Sequence, residues 1–563
     1  MTVDHGKLRA ISFAGTEIIR AISAPVRDEN WGTIPEHTIS ETVEETPSEV
    51  VWCRTYRVGD GLLDGEIVAK LSDCTLDVQL RLTPKRNMRT NRAGFCILHP
   101  LVGVEGQSLA IQHPDGRLTS SQFPTLIRPD QPAKDIAGLK HRAGPVEVDI
   151  TFEGDTFEME DQRNWSDASF KTYCRPLGLP FPYALAAGTT VVQRIVARFN
   201  PASGGTESTA PPQQTCSVVM PEILLAIEPG WWGGTLPTGA GLLLRMGKGI
   251  AWSKRELVEV TRTGAAIDLE CVLPDDQDPV ASLSEMAELL KSAGIAPRHV
   301  IALPQTYLKS YQPSGPWPSG IGLPAAAAAA AKQFSGARLG VGVLTNFTEL
   351  NRCQPASGVG DFITHGNSAI VHEADDVSVW QTLEALPSIF SSAKAIGGSR
   401  SYRLGLCAIA MRSNPYGASL SPNPTDMPCT MTDYDPRQRT SFAAAYAIAV
   451  AALAAKAGAE AVALCTPCGP FGLVGPEGPR PINAAVSALA SIGKRRADVS
   501  MSEGVVVICS GETNIYTNAS PKARACEIAT SSKLWDGQSV ADVRPGNITI
   551  PSGGVLISQG GPL

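Results

Sequence analysis

The stretch PAAAAAAAKQFSGARLGVGVLTNFTELNR, residues 324–352, contains a complete helix–strand unit followed by polar residues. Pro324 suits the first turn of a helix, and the seven alanines that follow it are strong helix formers. Residues 339–344 form a nearly continuous apolar run, which is typical of a strand buried on both faces of a parallel sheet. Polar residues follow the run at once, and they include Asn346 and Glu349.

The same alternation of apolar runs and helical stretches continues on both sides of this unit, over about 280 residues. Eight strands alternating with helices over this length predict a (β/α)8 TIM-like barrel. Only GWWGGTLPTGAG separates the first two strands, too little for a helix, so the count could shift by one strand. The predicted strands are 223–227, 242–246, 267–273, 300–303, 339–344, 362–364 or 369–371, 404–410 and 461–464. The predicted helices are 280–292, 324–334, 377–395, 441–457 and 482–492.

The regions flanking the predicted barrel show the period of β-structure instead. Short runs of alternating apolar and polar residues, such as 75–82 and 146–152, predict an N-terminal antiparallel β-sandwich. A stretch rich in Ser, Thr, Gly and Pro then has the composition of a linker. The chain is therefore expected to be multidomain, α/β plus all-β, with an N-terminal β-sandwich at 1–200, a linker at 201–215, the barrel at 216–497 and a small C-terminal β-domain at 498–563.

Composition limits the classes of partner. A formal net charge of -7 and a pI near 5.7 argue against nucleic acid and anionic membranes as partners. The N-terminus lacks the pattern of a signal peptide, and the longest apolar run, 442–455, is too short to cross a bilayer. Thirteen cysteines without a framework spacing predict reduced thiols and a cytoplasmic location. A homo-oligomer is possible.

A dense polar cluster, FEMEDQRNWSDASFKTYCRPLGLPFPY at 157–183, interrupts the N-terminal β-pattern. Such a mixture of charged, amide and indole groups is costly to order unless the groups satisfy one another or a polar ligand. One interpretation is an internally paired loop; the other, which we favour, is a wall that binds a hydroxyl-rich small molecule. In the second, Trp165 is a stacking platform, and the groups that bind hydroxyls are Glu160, Arg163, Asn164 and Asp167.

Ionisable and amide side chains also follow the predicted barrel strands, where barrel enzymes carry their reactive groups. Their convergence at several strand ends indicates an active site. The residues predicted to be catalytic are Glu349, His372, Glu373, Asp375 and Arg412. Those predicted to bind substrate from the barrel are Glu228, Asn346, Asp376, Asn414 and Tyr416.

Several mechanisms lack their motifs: there is no GxSxG elbow, no zincin helix, no complete dinucleotide fingerprint and no Walker loop. Two remain. Glu349 and Glu373 could serve as acid and base in glycoside cleavage, but Arg412 and Asn414 stand where a retaining barrel glycosidase needs a carboxylate. Water attack on a lactone or ester needs a base and a donor for the developing oxyanion, and this set of side chains fits that mechanism better. The candidate donor is Arg412 or a histidine, and the candidate bases are Glu349, Asp375, Asp376 and His372. A non-catalytic carbohydrate-binding protein is the third possibility.

No cofactor is expected, although a divalent metal is not excluded. The residues that could hold one are Glu349, His365, His372 and Asp375, and their spacing is not diagnostic. The expected partner is a small sugar lactone.

Seven stretches resemble the D-apionate lactonase family, bacterial enzymes that open D-apionolactone to D-apionate in apiose catabolism. The resemblance implies an N-terminal β-domain, a central barrel and a C-terminal β-domain, with lactonase activity. The family pattern has VHA where this chain has His372-Glu373, so Glu373 either pairs with the histidine or marks another substrate. The stretches are RAGFCILHP (92–100), MEDQRNWSDASFKTY (159–173), TNFTELNR (345–352), IVHEADD (370–376), IAMRSNPYG (409–417), DPRQR (435–439) and GPFGL (469–473).

Overall fold

A computed structural model describes residues 1–202, 215–312, 316–537 and 539–558. Nearly all of the predicted linker, 201–215, lies outside the described residues. Contacts divide the chain into two compact units. The first contains residues 1–163 and the described residues from 168 to 202. The second contains the described residues from 215 onward together with the four residues 164–167, which in sequence interrupt the first unit.

The first unit is built from two antiparallel sheets, which confirms the predicted β-sandwich. Phe152 on one sheet stacks on Phe157 of the other, with ring centroids 4.4 Å apart, so apolar side chains fill the space between the sheets. The seven-stranded sheet contains Thr2–Asp4, Lys7–Phe13, Thr16–Ser23, Cys96–Pro100, Ser169–Cys174, Phe157–Asp161 and Ala133–Ile136, in spatial order. The nine-stranded sheet contains Leu118–Gln122, Ser108–Gln112, Gly138–Ala143, Val146–Glu153, Val191–Pro201, Thr75–Pro84, Leu63–Ser72, Val50–Val58 and Glu36–Glu45.

The centre of the second unit is a closed barrel of eight parallel strands, as predicted. The first strand pairs with the last, Glu222 opposite Ala461, which closes the barrel. The strands are β1 Glu222–Ile227, β2 Gly241–Gly247, β3 Ile267–Leu273, β4 His299–Pro304, β5 Arg338–Asn346, β6 Phe362–Ser368, β7 Ser401–Ala408 and β8 Ala461–Cys465. Of the two alternatives for the sixth strand, the first is correct.

Seven α-helices accompany these strands in the described part of the second unit. Among these helices, none lies between β1 and β2, where the connection is short. The number of barrel strands is nevertheless eight, as predicted. The helices are α1 Lys254–Arg262, α2 Pro279–Ser292, α3 Leu323–Gln333, α4 Phe347–Arg352, α5 Asp376–Gly397, α6 Ser441–Lys456 and α7 Pro481–Ser491. The sequence reading missed α1 and α4. Helix α1 begins with a capping box in which Ser253 and Glu256 bind reciprocally, a local signal that was readable.

A seven-stranded antiparallel sheet follows the barrel, which confirms the predicted C-terminal β-structure. One of its strands, Cys216–Val219, precedes the barrel in sequence, so this sheet draws on both ends of the second unit. The other six are Arg496–Ser502, Val505–Ser510, Thr513–Asn518, Val555–Ser558, Ser532–Trp535 and Val540–Val543.

A buried charge cluster ties the strands together at the amino-terminal end of the barrel. Asp268 on β3 accepts hydrogen bonds from His299 (2.9 Å), Arg298 (3.2 Å) and Arg403 on β7 (2.5 Å). Burial would raise the pKa of Asp268, but the His299 hydrogen bond and the nearby arginines lower it below its usual value. The carboxylate therefore stays charged and holds three strands' side chains together.

Replacing Asp268 with Ala should destabilise the barrel by about 3 kcal/mol, because removing one partner of a buried ion pair leaves the other charges uncompensated. Thermal unfolding is the measurement. Asp149→Ala is the control: its pair with Lys140 is half-exposed, and loss of such a pair costs under about 1 kcal/mol. Equal unfolding temperatures for the two variants would contradict a structural role for the cluster.

Candidate active site

Glu349 lies at the carboxyl end of β5, in the first turn of α4, and its side chain is 3% exposed. The backbone N–H of Asn346 donates to its Oε2 at 3.1 Å, so the helix start fixes the carboxyl group. Its Oε1 is buried and has no hydrogen-bond partner among the described residues. Burial raises the pKa of Glu349 to about 7, although Ser310, Arg352 and Asn346 favour the charged form. This carboxyl group can therefore hold or release a proton near neutral pH.

Other uncommitted polar atoms lie at the same barrel mouth. A small cavity there is bordered by side chains and backbone of β2, β5, β6 and β7 and the β7 loop. The Oγ1 of Thr345 and the Nδ2 of Asn367 are buried on its lining and make no hydrogen bond of normal geometry among the described residues, although Thr345 lies beside the Glu349 carboxyl and Asn367 beside the Tyr446 hydroxyl. Buried polar atoms in folded proteins are normally paired with protein or water. The cavity, about 20 Å³, is large enough for one water, so a bound water or a polar group of a ligand would satisfy these atoms.

Two arginines and two glutamates form a buried network beside this cavity. Arg412, from the β7 loop, donates to Glu228 at 2.7 Å and to Glu270 at 2.9 Å, and Arg245 also donates to Glu270 at 2.8 Å. Burial would raise the pKa of Glu270, but the two arginines lower it below its usual value. Both carboxylates already bind Arg412, so the predicted oxyanion donor is charge-balanced by Glu228 and Glu270.

Sequence reasoning missed Arg245 and Glu270, although each had a signal. Arg245 is the single charged residue of the apolar strand GLLLRMG (β2), and Glu270 is one of two charged residues, with Asp268, in the otherwise apolar strand IDLECVL (β3). Charged residues are almost never fully buried unless they are paired, so two such strands predict a mutual partner. Asn367 and Thr345 had no comparable signal, because their role depends on the exact end of a strand.

The four residues Asn164–Asp167 each contact the barrel mouth, within the second unit. Asn164 accepts hydrogen bonds from Thr348 and Asn351 of α4, at 2.5 and 2.8 Å, through its backbone oxygen and its Oδ1 respectively. Ser166 donates to Asn367 at the end of β6, at 2.6 Å. The segment is thus bound to two neighbouring strand ends.

Trp165 and Asp167 of this segment contact His372 in the loop after β6. The Nδ1 of His372 lies 2.5 Å from the Oδ2 of Asp167. The Trp165 and His372 rings pack in an edge-to-face arrangement, with centroids 5.6 Å apart. The Arg352 guanidinium lies over the Trp165 ring, 5.3 Å from its centroid. The structure therefore brings together Trp165, Asp167 and His372 from the predicted set, and Asn164 binds Thr348 and Asn351 of the helix that carries Glu349.

Two other members of the polar cluster belong to the first unit and are occupied there. Arg163 is fully buried, and its guanidinium binds Asp161 at 2.7 Å, Glu105 at 3.1 Å and two backbone oxygens. Glu160 accepts from Lys171 at 2.9 Å. For these residues the internally paired interpretation describes the structure better than ligand binding, because their charges already have protein partners.

Several predicted barrel residues have structural partners as well. Asp375 caps α5 by accepting from the backbone and hydroxyl of Ser378, and the exposed Asp376 pairs with Arg437 at 3.1 Å. Helix capping accounts for Asp375 without a catalytic role.

The loop after β7 is organised by Asn414. Its amide oxygen accepts from the backbone N–H groups of Tyr416 and Gly417, and its nitrogen donates to the Ser419 oxygen at 2.8 Å. Asn414 thus shapes the loop, and it places the Tyr416 hydroxyl 3.1 Å from Thr348 and 3.5 Å from Asn346. Glu373 is half-buried beside His372 in sequence.

Within the described residues, no group of three or more His, Cys, Asp or Glu side chains is arranged to hold a metal ion. His365, a predicted metal ligand, is buried, and its two ring nitrogens lie 2.7 Å from the Tyr402 hydroxyl and the Gly366 oxygen. Burial lowers the pKa of His365 to about 4. All thirteen cysteines are free thiols. Among the helices described, none combines the length and apolar character needed to span a membrane.

A buried carboxyl group with a pKa near neutrality lies at the mouth of the barrel, the end at which enzymes of this fold carry their active sites. The family model for the D-apionate lactonase N-terminal domain matches residues 1–202, and that for its TIM barrel domain matches residues 243–494. A D-apionate lactonase of Brucella anthropi is 38% identical over 505 residues, covering 85% of this chain and 82% of the relative. The chain therefore belongs to the D-apionate lactonase family, and it is a lactonase, a carboxylic-ester hydrolase.

Solved structures show weaker likeness. A family 51 α-L-arabinofuranosidase from Bifidobacterium longum aligns with a TM-score of 0.43 and 11% identity, over 62% of this chain and 98% of that one. A monomeric β-xylosidase from Caulobacter crescentus aligns at 0.39 and 11%, over 61% and 97%. At these scores the similarities carry no conclusion about function.

Replacing Glu349 with Gln should raise stability more at alkaline than at acidic pH. A carboxyl whose pKa is raised in the folded state stabilises the fold at low pH, and that contribution disappears as pH rises through about 7. Gln cannot ionise, so the variant does not lose stability in this way. Its unfolding temperature relative to that of the parent should therefore increase between pH 5 and pH 8.5, by an amount equivalent to roughly 3 kcal/mol. Thermal unfolding of both proteins across that range is the measurement. A pH-independent difference would contradict the raised pKa.

Proposed function

We propose that this protein hydrolyses D-apionolactone to D-apionate, with Glu349 as the general acid that protonates the leaving ring oxygen. The observation that carries the proposal is the buried Glu349 carboxyl, whose pKa of about 7 and uncommitted Oε1 suit a proton donor at neutral pH. Family membership supports the reaction class, and the name of the Brucella anthropi relative supports the substrate.

The reaction needs two proton movements. A water molecule attacks the lactone carbonyl carbon and loses a proton to a base, which forms a tetrahedral oxyanion. The bond between that carbon and the ring oxygen then breaks, and the ring oxygen takes the proton of Glu349. The product is a hydroxy acid, which ionises to the carboxylate and releases one proton to solvent.

Hydrogen-bond donors at the cavity suit the negative charge that develops on the carbonyl oxygen. The Asn367 Nδ2 is the strongest candidate in the described part of the mouth, because it is a buried donor that borders the cavity and makes no hydrogen bond of normal geometry. Arg412 contributes positive charge that Glu228 and Glu270 partly balance. One oxyanion donor commonly lowers a barrier by about 3 kcal/mol. We therefore place Asn367 beside Arg412 in the proposed oxyanion site.

Hydroxyl groups of the substrate need further partners. Thr345, with a buried hydroxyl that borders the cavity, and Tyr416 are proposed to bind them, together with Asn346. Trp165 is proposed to pack against the sugar ring, as expected from the sequence. The glycoside-hydrolase alternative is less well supported, since Arg412 follows β7 where a nucleophilic carboxylate would be required.

Glu349→Gln should lower kcat on D-apionolactone at least about a hundredfold, because the amide cannot donate the proton. Acid release at constant pH, corrected for spontaneous hydrolysis, is the measurement. The parent's kcat should also fall as pH rises above about 7, where Glu349 loses its proton.

Glu288→Gln, an exposed change on α2, is the matched control and should retain parental turnover. Near-normal turnover of Glu349→Gln would remove Glu349 from the mechanism. Acid release from related aldonolactones but not from D-apionolactone would support lactonase activity and show that the substrate is a different lactone.

A further inference from the structure

We propose that Asp167 is a positioning residue for His372, and that His372, held in this way, is the base that activates the attacking water. This inference rests on the proposed function and deepens it, because it identifies the second group in the proton relay. The base comes from the β6 loop of the barrel, whereas its positioning residue lies, in sequence, between two strands of the N-terminal sandwich.

The geometry fixes which ring nitrogen is available. Asp167 Oδ2 lies 2.5 Å from His372 Nδ1, so the carboxylate accepts the Nδ1 proton and leaves Nε2 as the basic nitrogen. Their side chains are 19% and 25% exposed, enough for solvent to reach the pair and too little for free rotation. A neutral imidazole in this tautomer can accept a proton from water.

Neighbouring contacts restrict the orientation of the pair further. The edge of Trp165 packs against the His372 ring, and Ser166, adjacent to Asp167, is hydrogen-bonded to Asn367. A carboxylate predicted to bind substrate hydroxyls is instead directed at the imidazole.

The chemistry balances with Glu349 as the acid. Water transfers one proton to His372 Nε2 as its oxygen bonds to the carbonyl carbon, and the Asp167 carboxylate stabilises the resulting imidazolium. Glu349 gives its proton to the ring oxygen when the acyl–oxygen bond breaks. His372 then releases its proton to solvent, and Glu349 regains one.

Asp167→Asn should lower kcat tenfold to a thousandfold with KM changed by less than about threefold, because the amide no longer selects the tautomer. The same change made in a His372→Gln background should have no further effect, since Asp167 acts through His372. Asp167→Glu should partly restore turnover. Ser166→Ala is the matched control: it loosens the same segment without touching His372, so its effect should persist in the His372→Gln background.

A second measurement does not depend on the substrate. Nitrogen-15 shifts of histidine-labelled parent protein, with His372→Gln used for assignment, should show the Nδ1–H tautomer. Equal losses for Asp167→Asn in both backgrounds, or an Nε2–H tautomer in the parent, would overturn the positioning role. If the parent releases no acid from any aldonolactone, the proposed function fails, and the tautomer still tests the Asp167–His372 contact.

Discussion

The hydrogen bonds that hold Asn164–Asp167 in the barrel mouth are the constraint on which the site depends. Asn164 and Ser166 are buried, and both find their partners at the ends of β5 and β6. Unpaired, such groups would each cost about 1–3 kcal/mol, so the segment and the strand ends fix one another. Asn367 accepts from Ser166 and also borders the cavity at the barrel mouth, so this contact anchors the segment beside the cavity.

Two buried glutamates at the barrel mouth have pKa values shifted in opposite directions. Arg245 and Arg412 are balanced by Glu228 and Glu270, and the two arginines lower the pKa of Glu270, which keeps the network ionised. Glu349 forms no ion pair within the described residues, and although the charge of Arg352 acts on it, burial raises its pKa to about 7. The barrel mouth thus contains both a buried network of ion pairs around Glu270 and a buried carboxyl group, Glu349, that can titrate near neutral pH.

The barrel could be predicted because its signals are local and repeated. Each strand is an apolar run of regular length, and Pro324 and the alanines after it mark a helix that the structure contains. The site was harder, because a residue's role depends on what it meets. Arg163 and Asp167 stand four residues apart in one polar cluster, yet Arg163 is fully buried among partners in the first unit and Asp167 binds a histidine of the second. No periodicity distinguishes them.

Replacing residues 164–167 with Gly-Gly-Ser-Gly tests most directly whether this segment completes the active site. The replacement removes the Asn164 and Asp167 side chains together with the Trp165 ring, and leaves every barrel residue in place. We expect a folded protein, with circular dichroism like that of the parent, whose lactone hydrolysis falls at least about a hundredfold. A folded variant with parental kcat and KM would show that the barrel is sufficient without this segment and would contradict its role in the active site.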